Sequence, residues 1–178
     1  MDLVAHHSWW TSPRLYTEIQ VVYPMTRRKR GANENRRDVI EGITLWNNEP
    51  ANYAFWLALG KSRQRVKNFY RCHIYEGSVW NPDHFTNLAN LVALPKSLES
   101  LSEWTPVRDL LKYHSFRSYG YRGPNGIDPH KPNYYPSMWA HQLNLPHDHF
   151  DLVLTKLREQ QKRRPQFRNA EGRPSAGN

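Results

Sequence analysis

The chain has 178 residues, with 25 lysines and arginines against 16 acidic residues, and it contains one cysteine. This length favours a single domain whose core needs no covalent support, and one cysteine excludes an intrachain disulfide and a four-cysteine zinc site. No run of about 18 apolar residues is present, which excludes a transmembrane helix. The first residues also lack the basic and apolar regions of a secretory signal, so we expect a cytoplasmic protein.

The net charge of +9 is clustered in blocks at residues 27–37, 61–71 and 156–173. Such blocks suit the neutralisation of phosphate groups, and a solvated basic face with a disordered tail is the alternative. The second block contains no acidic residue and leads directly into the segment around His73. Because a polyanionic substrate would need a basic approach to that histidine, we expect nucleic acid as the partner.

The first third of the chain gives mixed local signals. Residues 1–13 look irregular, and alternating apolar side chains over residues 15–23 favour a strand, with a helix as the alternative. Four apolar side chains within residues 39–46 fall at helical spacing. Pro50 then predicts a helix over residues 51–59, which Gly60 ends.

The middle of the chain predicts a strand, a loop and a helix in succession. Residues 68–74 are rich in strand-forming side chains, and residues 76–87 are predicted to form a long loop, with a second short strand near its end as the alternative. Asn90 and the apolar residues after it are predicted to turn into a helix, with a short helix over residues 95–101.

Two further helices have clear local signals. Thr105 followed by proline predicts a helix start, and Gly120 predicts its end. Asp148 suits the cap of a last helix with an apolar stripe, and from Pro165 onward the polar, Gly/Pro-rich composition predicts a disordered basic tail. The predicted fold class is α+β: one mostly helical globular domain over residues 1–164, with a small β-hairpin plus helix as its core.

The order of side chains in this middle segment suggests phosphodiester hydrolysis. Such a reaction needs a base to take a proton from water and a cation to offset charge on the phosphate. A neutral imidazole held on a strand, here His73, suits the first task. Asn90 follows 17 residues later, after a loop that contains Asp83 and His84.

Here the chain resembles the HNH, or ββα-metal, nucleases. The resemblance rests on Cys72-His73-Ile74 in the first strand and on the Asn-Leu-Val-Ala-Leu run that begins at Asn90. It implies that His73 is the general base and that Asn90 holds the loop and orients the histidine. It also implies a divalent metal, Mg²⁺ or Mn²⁺, with Glu99 in the helical ligand position nine residues after Asn90.

The surrounding residues resemble a group of small bacterial proteins of this type. They share a Cys-His-Ile-Tyr strand, an Asn-Leu-Val-x-Leu-Pro run and a helix that closes before Tyr-Gly. This likeness covers about residues 68–121 and bears on the fold core more than on the reaction.

Two departures from the HNH pattern concern the metal. Cys72 stands where an acid or a histidine is usual, and a thiolate is a poor ligand for Mg²⁺. Glu99 stands where histidine or asparagine is usual. The candidate metal ligands are therefore Glu99, Asp83, His84 and Cys72, with Glu76 as a further loop acid; a free buried thiol and a solvated helix residue are the alternatives for Cys72 and Glu99.

Candidate contacts to nucleic acid lie on both sides of His73. They are four residues of the second basic block, one lysine after the hairpin and one tryptophan in the loop: Arg63, Arg65, Lys67, Arg71, Lys96 and Trp80. Three hypotheses follow. The first is a metal-dependent endonuclease, with DNA expected ahead of RNA; the second is a non-catalytic nucleic-acid-binding module; the third is a factor that binds an acidic protein partner.

Overall fold

The computed structural model describes residues 1–28, 38–40, 43–61, 66–139 and 147–162. The fold is α+β, as predicted: short strands form two small sheets, and helices cover both faces of the two-stranded one. The helices are α1 (Asp2–His7), α2 (Pro13–Glu18), α3 (Glu49–Ala58), α4 (Thr105–Tyr119) and α5 (His147–Lys162). The strands are β1 (Met25–Arg27), β2 (Asp38–Ile40), β3 (Ile43–Trp46), β4 (Phe69–His73) and β5 (Leu91–Pro95).

The hairpin of β4 and β5 forms the centre of the fold. The strands are antiparallel, with Cys72 opposite Val92 and His73 opposite Leu91. The backbone of Trp9 exchanges two hydrogen bonds with Ala93 and so covers the far edge of β5. In the described part of the chain no strand pairs with the outer edge of β4, which therefore remains an open sheet edge.

Each face of the hairpin packs against a different helix. Because side chains alternate along a strand, Cys72 and Val92 face one side, where they meet Val107 and Leu111 of α4. Leu91 faces the other side and packs against α3. Each fully buried aliphatic side chain of this kind contributes about 1.5–3 kcal/mol. Cys72 and His73 are consequently directed to opposite faces of the sheet.

The segment after Asn90 differs from the prediction. Leu91–Pro95 is strand β5 rather than the start of a helix, because its side chains are buried on both faces between two helices. A 3₁₀-helical segment then runs from Lys96 to Glu103, close to the predicted short helix. Two shorter 3₁₀ turns, Ser78–Trp80 and Leu88–Asn90, shape the loop between β4 and β5.

The remaining elements show where local signals succeeded and failed. The predicted helices became α3, α4 and α5, and Gly120 ends α4 in the left-handed conformation at φ 69°. Residues 2–7 form α1 instead of irregular chain. The strand favoured over residues 15–23 is wrong, since Pro13 starts helix α2 there.

The helix predicted over residues 39–46 is also wrong. Those residues belong to β2 and β3, and the three-stranded sheet has the order β1-β3-β2 with β1 parallel to β3. The β-branched side chains there suit strands. This sheet brings Arg27, at the end of β1, toward the open edge of β4. The predicted tail over residues 165–178 lies outside the described residues.

Candidate functional site

A cavity of about 210 Å³ lies along the open edge of β4. Its lining comes from the hairpin, from β1 and from the residues around the start of α4. The chemically important members are Arg27, Arg71, His73, Tyr75, Glu103 and Arg108. The cavity therefore combines one imidazole with three guanidinium groups and faces both sides of the hairpin.

The orientation of the His73 ring is fixed by the loop below it. Its Nε2 lies 2.9 Å from the carbonyl oxygen of Phe85, and a carbonyl only accepts, so Nε2 carries the proton in this assignment. The Phe85 ring stacks beside the imidazole, with centroids 5.5 Å apart. Nδ1 is then the nitrogen with the lone pair. Nη1 of Arg71 lies 3.0 Å from Nδ1 and 3.2 Å from Nε2, so in this assignment it donates to Nδ1.

His73 is neutral in this environment. Burial, followed by the nearby Arg71 and Arg27 charges, holds the pKa of His73 well below its ordinary value of 6.5, although the Phe85 carbonyl opposes the shift. A neutral imidazole is the form that accepts a proton. The ring is half-buried and borders the cavity, so a small molecule in the cavity can approach it.

Arg71 is a buried residue rather than a surface cation. Only 5% of it is exposed, and its Nε donates to Oδ1 of Asn52 on α3 at 2.7 Å. Arg71 and His73 share one face of β4 because they are two residues apart. The predicted contact of Arg71 with nucleic acid is thus confined to a phosphate that enters the cavity.

Asn90 ties the two ends of the loop together. Its Oδ1 accepts from the backbone N–H of Tyr75 at 3.2 Å, and its Nδ2 donates to the carbonyl of His84 at 2.9 Å. The next carbonyl along the chain, that of Phe85, accepts the hydrogen bond from Nε2 of His73. Asn90, which is fully buried, therefore holds the loop that orients the imidazole.

The candidate metal ligands are not brought together. Cys72 is buried, and burial above all raises the pKa of its thiol to about 11, so it is a neutral thiol on the face away from His73. Asp83 is exposed, and His84 pairs with the Tyr121 hydroxyl at 2.7 Å. Glu99 lines a neighbouring cavity. Among the described residues no group of three or more such ligands exists, so this donor set does not fit a protein-held Mg²⁺.

Two acids that do line the His73 cavity are already paired. Glu76 and Glu103 both form ion pairs with Arg108, on the first turns of α4. Their carboxylates are largely exposed, whereas Arg108 is mostly covered. The three charges span the rim of the cavity, from the loop after β4 to α4.

Three of the remaining candidates for contact with nucleic acid lie on the surface of the protein. Lys67, Lys96 and Trp80 are exposed, whereas Arg63 and Arg65 lie outside the described residues. Lys96 lines a second cavity of about 370 Å³, which shares one wall with the first. Its lining residues are Tyr70, Lys96, Glu99, Ser100, Ser102 and Glu103.

Sequence reasoning missed several residues of the site. Arg27 belonged to a recognised basic block but was not connected to His73, and Asn52, Glu103 and Arg108 were not singled out. They come from four separate elements, so no local spacing connects them. The one available signal was the opposite charge of two residues close in sequence. Glu103 comes just before the predicted start of the helix, and Arg108 lies in its first turn.

Comparisons with known proteins do not identify a relative. The chain matches no protein-family model, and it shows no significant similarity to a curated protein or to a solved structure. Of the helices within the described ranges, none has the length and apolar character needed to cross a membrane.

Proposed function

We propose that this protein is a cytoplasmic endonuclease that hydrolyses phosphodiester bonds in nucleic acid, DNA ahead of RNA, with His73 as the general base. The observation that carries the proposal is the 2.9 Å contact between Nε2 of His73 and the Phe85 carbonyl, beside a cavity lined by guanidinium groups. With the proton assigned to Nε2, the lone pair is on Nδ1, which is a weak base because the pKa of His73 is lowered. A cytoplasmic setting also keeps a free thiol such as Cys72 reduced.

The electrostatics of the cavity support an anionic ligand. Arg27 and Arg71 are both close enough to depress the pKa of His73. One buried donor on a lining residue, the Tyr75 hydroxyl, lacks a hydrogen-bond partner within the described ranges. Buried polar atoms are normally satisfied, and this hydroxyl can donate to a phosphate oxygen, whereas the equally unpaired Asn48 Oδ1 only accepts and is no partner for an anion.

Much of the basic charge belongs to residues outside these ranges. Ten of the 25 basic residues but only three of the 16 acids lie in the segments that the structure does not describe. Two of those segments adjoin residues of the site in sequence: residues 29–37 follow Arg27 closely, and residues 62–65 come shortly before β4. The net charge of the chain therefore suits a polyanionic ligand.

The proposed reaction requires one rearrangement. The Nη1–H of Arg71 leaves Nδ1 of His73 and donates to a phosphate oxygen instead. Nδ1 can then accept a proton from water. The water oxygen then bonds to phosphorus, the bond from phosphorus to one ester oxygen breaks, and that oxygen takes a proton from solvent. Arg27 and Arg71 offset the charge that develops on the phosphate. Since the described donors do not fit a metal, no step is assigned to one.

A non-catalytic nucleic-acid-binding role is the second candidate. It is favoured by a specific contact, because the Arg71 N–H already occupies the lone pair that a general base needs. In that case the same cavity would hold a phosphate without attacking it. The two candidates share their ligand and differ only in whether the ester bond is broken.

Cleavage assays separate the two candidates. Plasmid DNA and RNA are incubated with the protein in Mg²⁺, Mn²⁺, Zn²⁺ or a chelator, beside His73→Ala and the matched control His149→Ala, an exposed histidine on α5. Cleavage by the wild type and by His149→Ala, lost in His73→Ala, supports the endonuclease. A gel shift that weakens steeply with salt but without cleavage supports the binding module. Absence of both refutes both.

A further inference from the structure

The second cavity adjoins the His73 cavity along the open edge of β4. The two share Tyr70, Ser102 and Glu103 in their linings. Because side chains alternate along β4, Tyr70 and Arg71 are directed to opposite faces of the hairpin, and the shared lining residues are what join the two cavities around the strand. This continuity makes the second cavity a candidate for another part of the same ligand.

Tyr70 forms part of the common wall with an exposed aromatic side chain. It is 44% exposed and is the second residue of β4. Its neighbour Phe69 stacks on Trp9 at 3.9 Å, whereas no ring contact joins Tyr70 to another aromatic residue of the described chain. An exposed ring on a rigid strand is a ready surface for a flat partner.

The remaining lining suits a group that both donates and accepts hydrogen bonds. Lys96 supplies an ammonium donor, Glu99 a carboxylate acceptor and Ser100 a hydroxyl that does both. A phosphate would meet repulsion from Glu99, which lines only the second of the two cavities, but a nucleobase has a flat ring with donors and acceptors on its edge. The volume of about 370 Å³ falls in the range of small-ligand sites, roughly 300–1,000 Å³.

We propose that the second cavity binds a nucleobase stacked on Tyr70, next to the phosphate held in the His73 cavity. The inference rests on the proposed function and narrows it, because a base inside a duplex is already stacked between its neighbours. The substrate class is then single-stranded or locally unpaired nucleic acid, since a paired base must first be turned out of the helix. Tyr70, rather than the exposed Trp80, is the stacking residue, because Trp80 lines neither cavity.

A binding cycle with two strands tests the stacking contact. Anisotropy of a labelled thymine strand and of a fully abasic strand of equal length is measured with the wild type, Tyr70→Ala, Tyr70→Phe and Trp80→Ala. The integrity of each strand is checked on a gel. Loss of one base–aromatic stack weakens binding by about 5- to 150-fold. We expect that loss for Tyr70→Ala on the thymine strand, but not for Tyr70→Phe or Trp80→Ala.

The abasic strand distinguishes stacking from a general surface effect. It should bind the wild type at least as weakly as Tyr70→Ala binds the thymine strand, because it lacks the base and every contact to it, and Tyr70→Ala should cause no further loss on it. Equal losses on both strands would overturn the inference, as would full thymine-strand affinity in Tyr70→Ala. If Arg27→Ala weakens binding while Tyr70→Ala does not, the phosphate site stands and this inference falls. A wild type that binds neither strand refutes both.

Discussion

Replacing Asn90 with alanine should destabilise the protein mainly by leaving one backbone group without its partner. The change removes the acceptor of the Tyr75 N–H, and Asn90 is fully buried, so water cannot replace that bond without reorganisation. The His84 carbonyl loses the Asn90 donor but still accepts from the backbone N–H of Asn87 at 3.3 Å. One unsatisfied group costs about 1–3 kcal/mol, which is the expected loss. Against a domain stability of about 5–15 kcal/mol, this is a substantial fraction.

Urea unfolding followed by circular dichroism measures the effect. The matched control is Asn81→Ala in the same loop, where Oδ1 accepts from the Asp83 N–H at 2.9 Å in an exposed position. Water can take over that bond, so we expect a loss below about 1 kcal/mol. The m-value should stay constant, so that the midpoint reports stability. Equal losses for the two variants, or a loss for Asn90→Ala under about 1 kcal/mol, would refute the account of the loop.

Three further results are expected. Cys72 should react with a thiol reagent at pH 8 only after unfolding, because the pKa of its thiol in the folded protein is about 11; fast reaction of the folded protein would contradict this. Since the unfolded chain loses this proton first, the free energy of unfolding should decline as the pH rises from about 9 toward 11. The pKa of His114 is about 3, lowered chiefly by burial, so the unfolded chain takes up a proton first and stability should fall as the pH drops from about 6.5 toward 3. In His114→Phe the urea midpoint should depend less steeply on pH over that range, and an unchanged slope would refute this prediction. Gly123→Ala should cost about 1–3 kcal/mol more than Gly126→Ala in thermal unfolding, since both have positive φ but only at Gly123 would a Cβ overlap the Tyr75 ring; equal melting temperatures would exclude that clash.

The parts of the fold that could be predicted have signals contained in a few neighbouring residues. Pro106 fixes the start of α4 and Gly120 its end, because the first presets a helical φ and the second tolerates a positive one. The strand before His73 and the apolar stripe of α5 follow from composition and spacing in the same way. The Leu91–Pro95 run could not be assigned this way, because burial on both faces removes the periodicity that separates strand from helix.

The sequence by itself determined that His73 ends a strand and that a polar loop follows it, but it predicted a helix after Asn90 where the structure has strand β5. Only the tertiary structure decided what surrounds the imidazole. Arg27, Asn52 and Arg108 come from β1, α3 and α4, and they meet His73 or its cavity because those elements pack around one open sheet edge. The alternation of β4 likewise sends Cys72 into the core and Arg71 onto the imidazole. The sequence gives the type of each residue. The distances between side chains, which set the pKa values and decide which residues can share a ligand, arise only when the helices and strands have packed together.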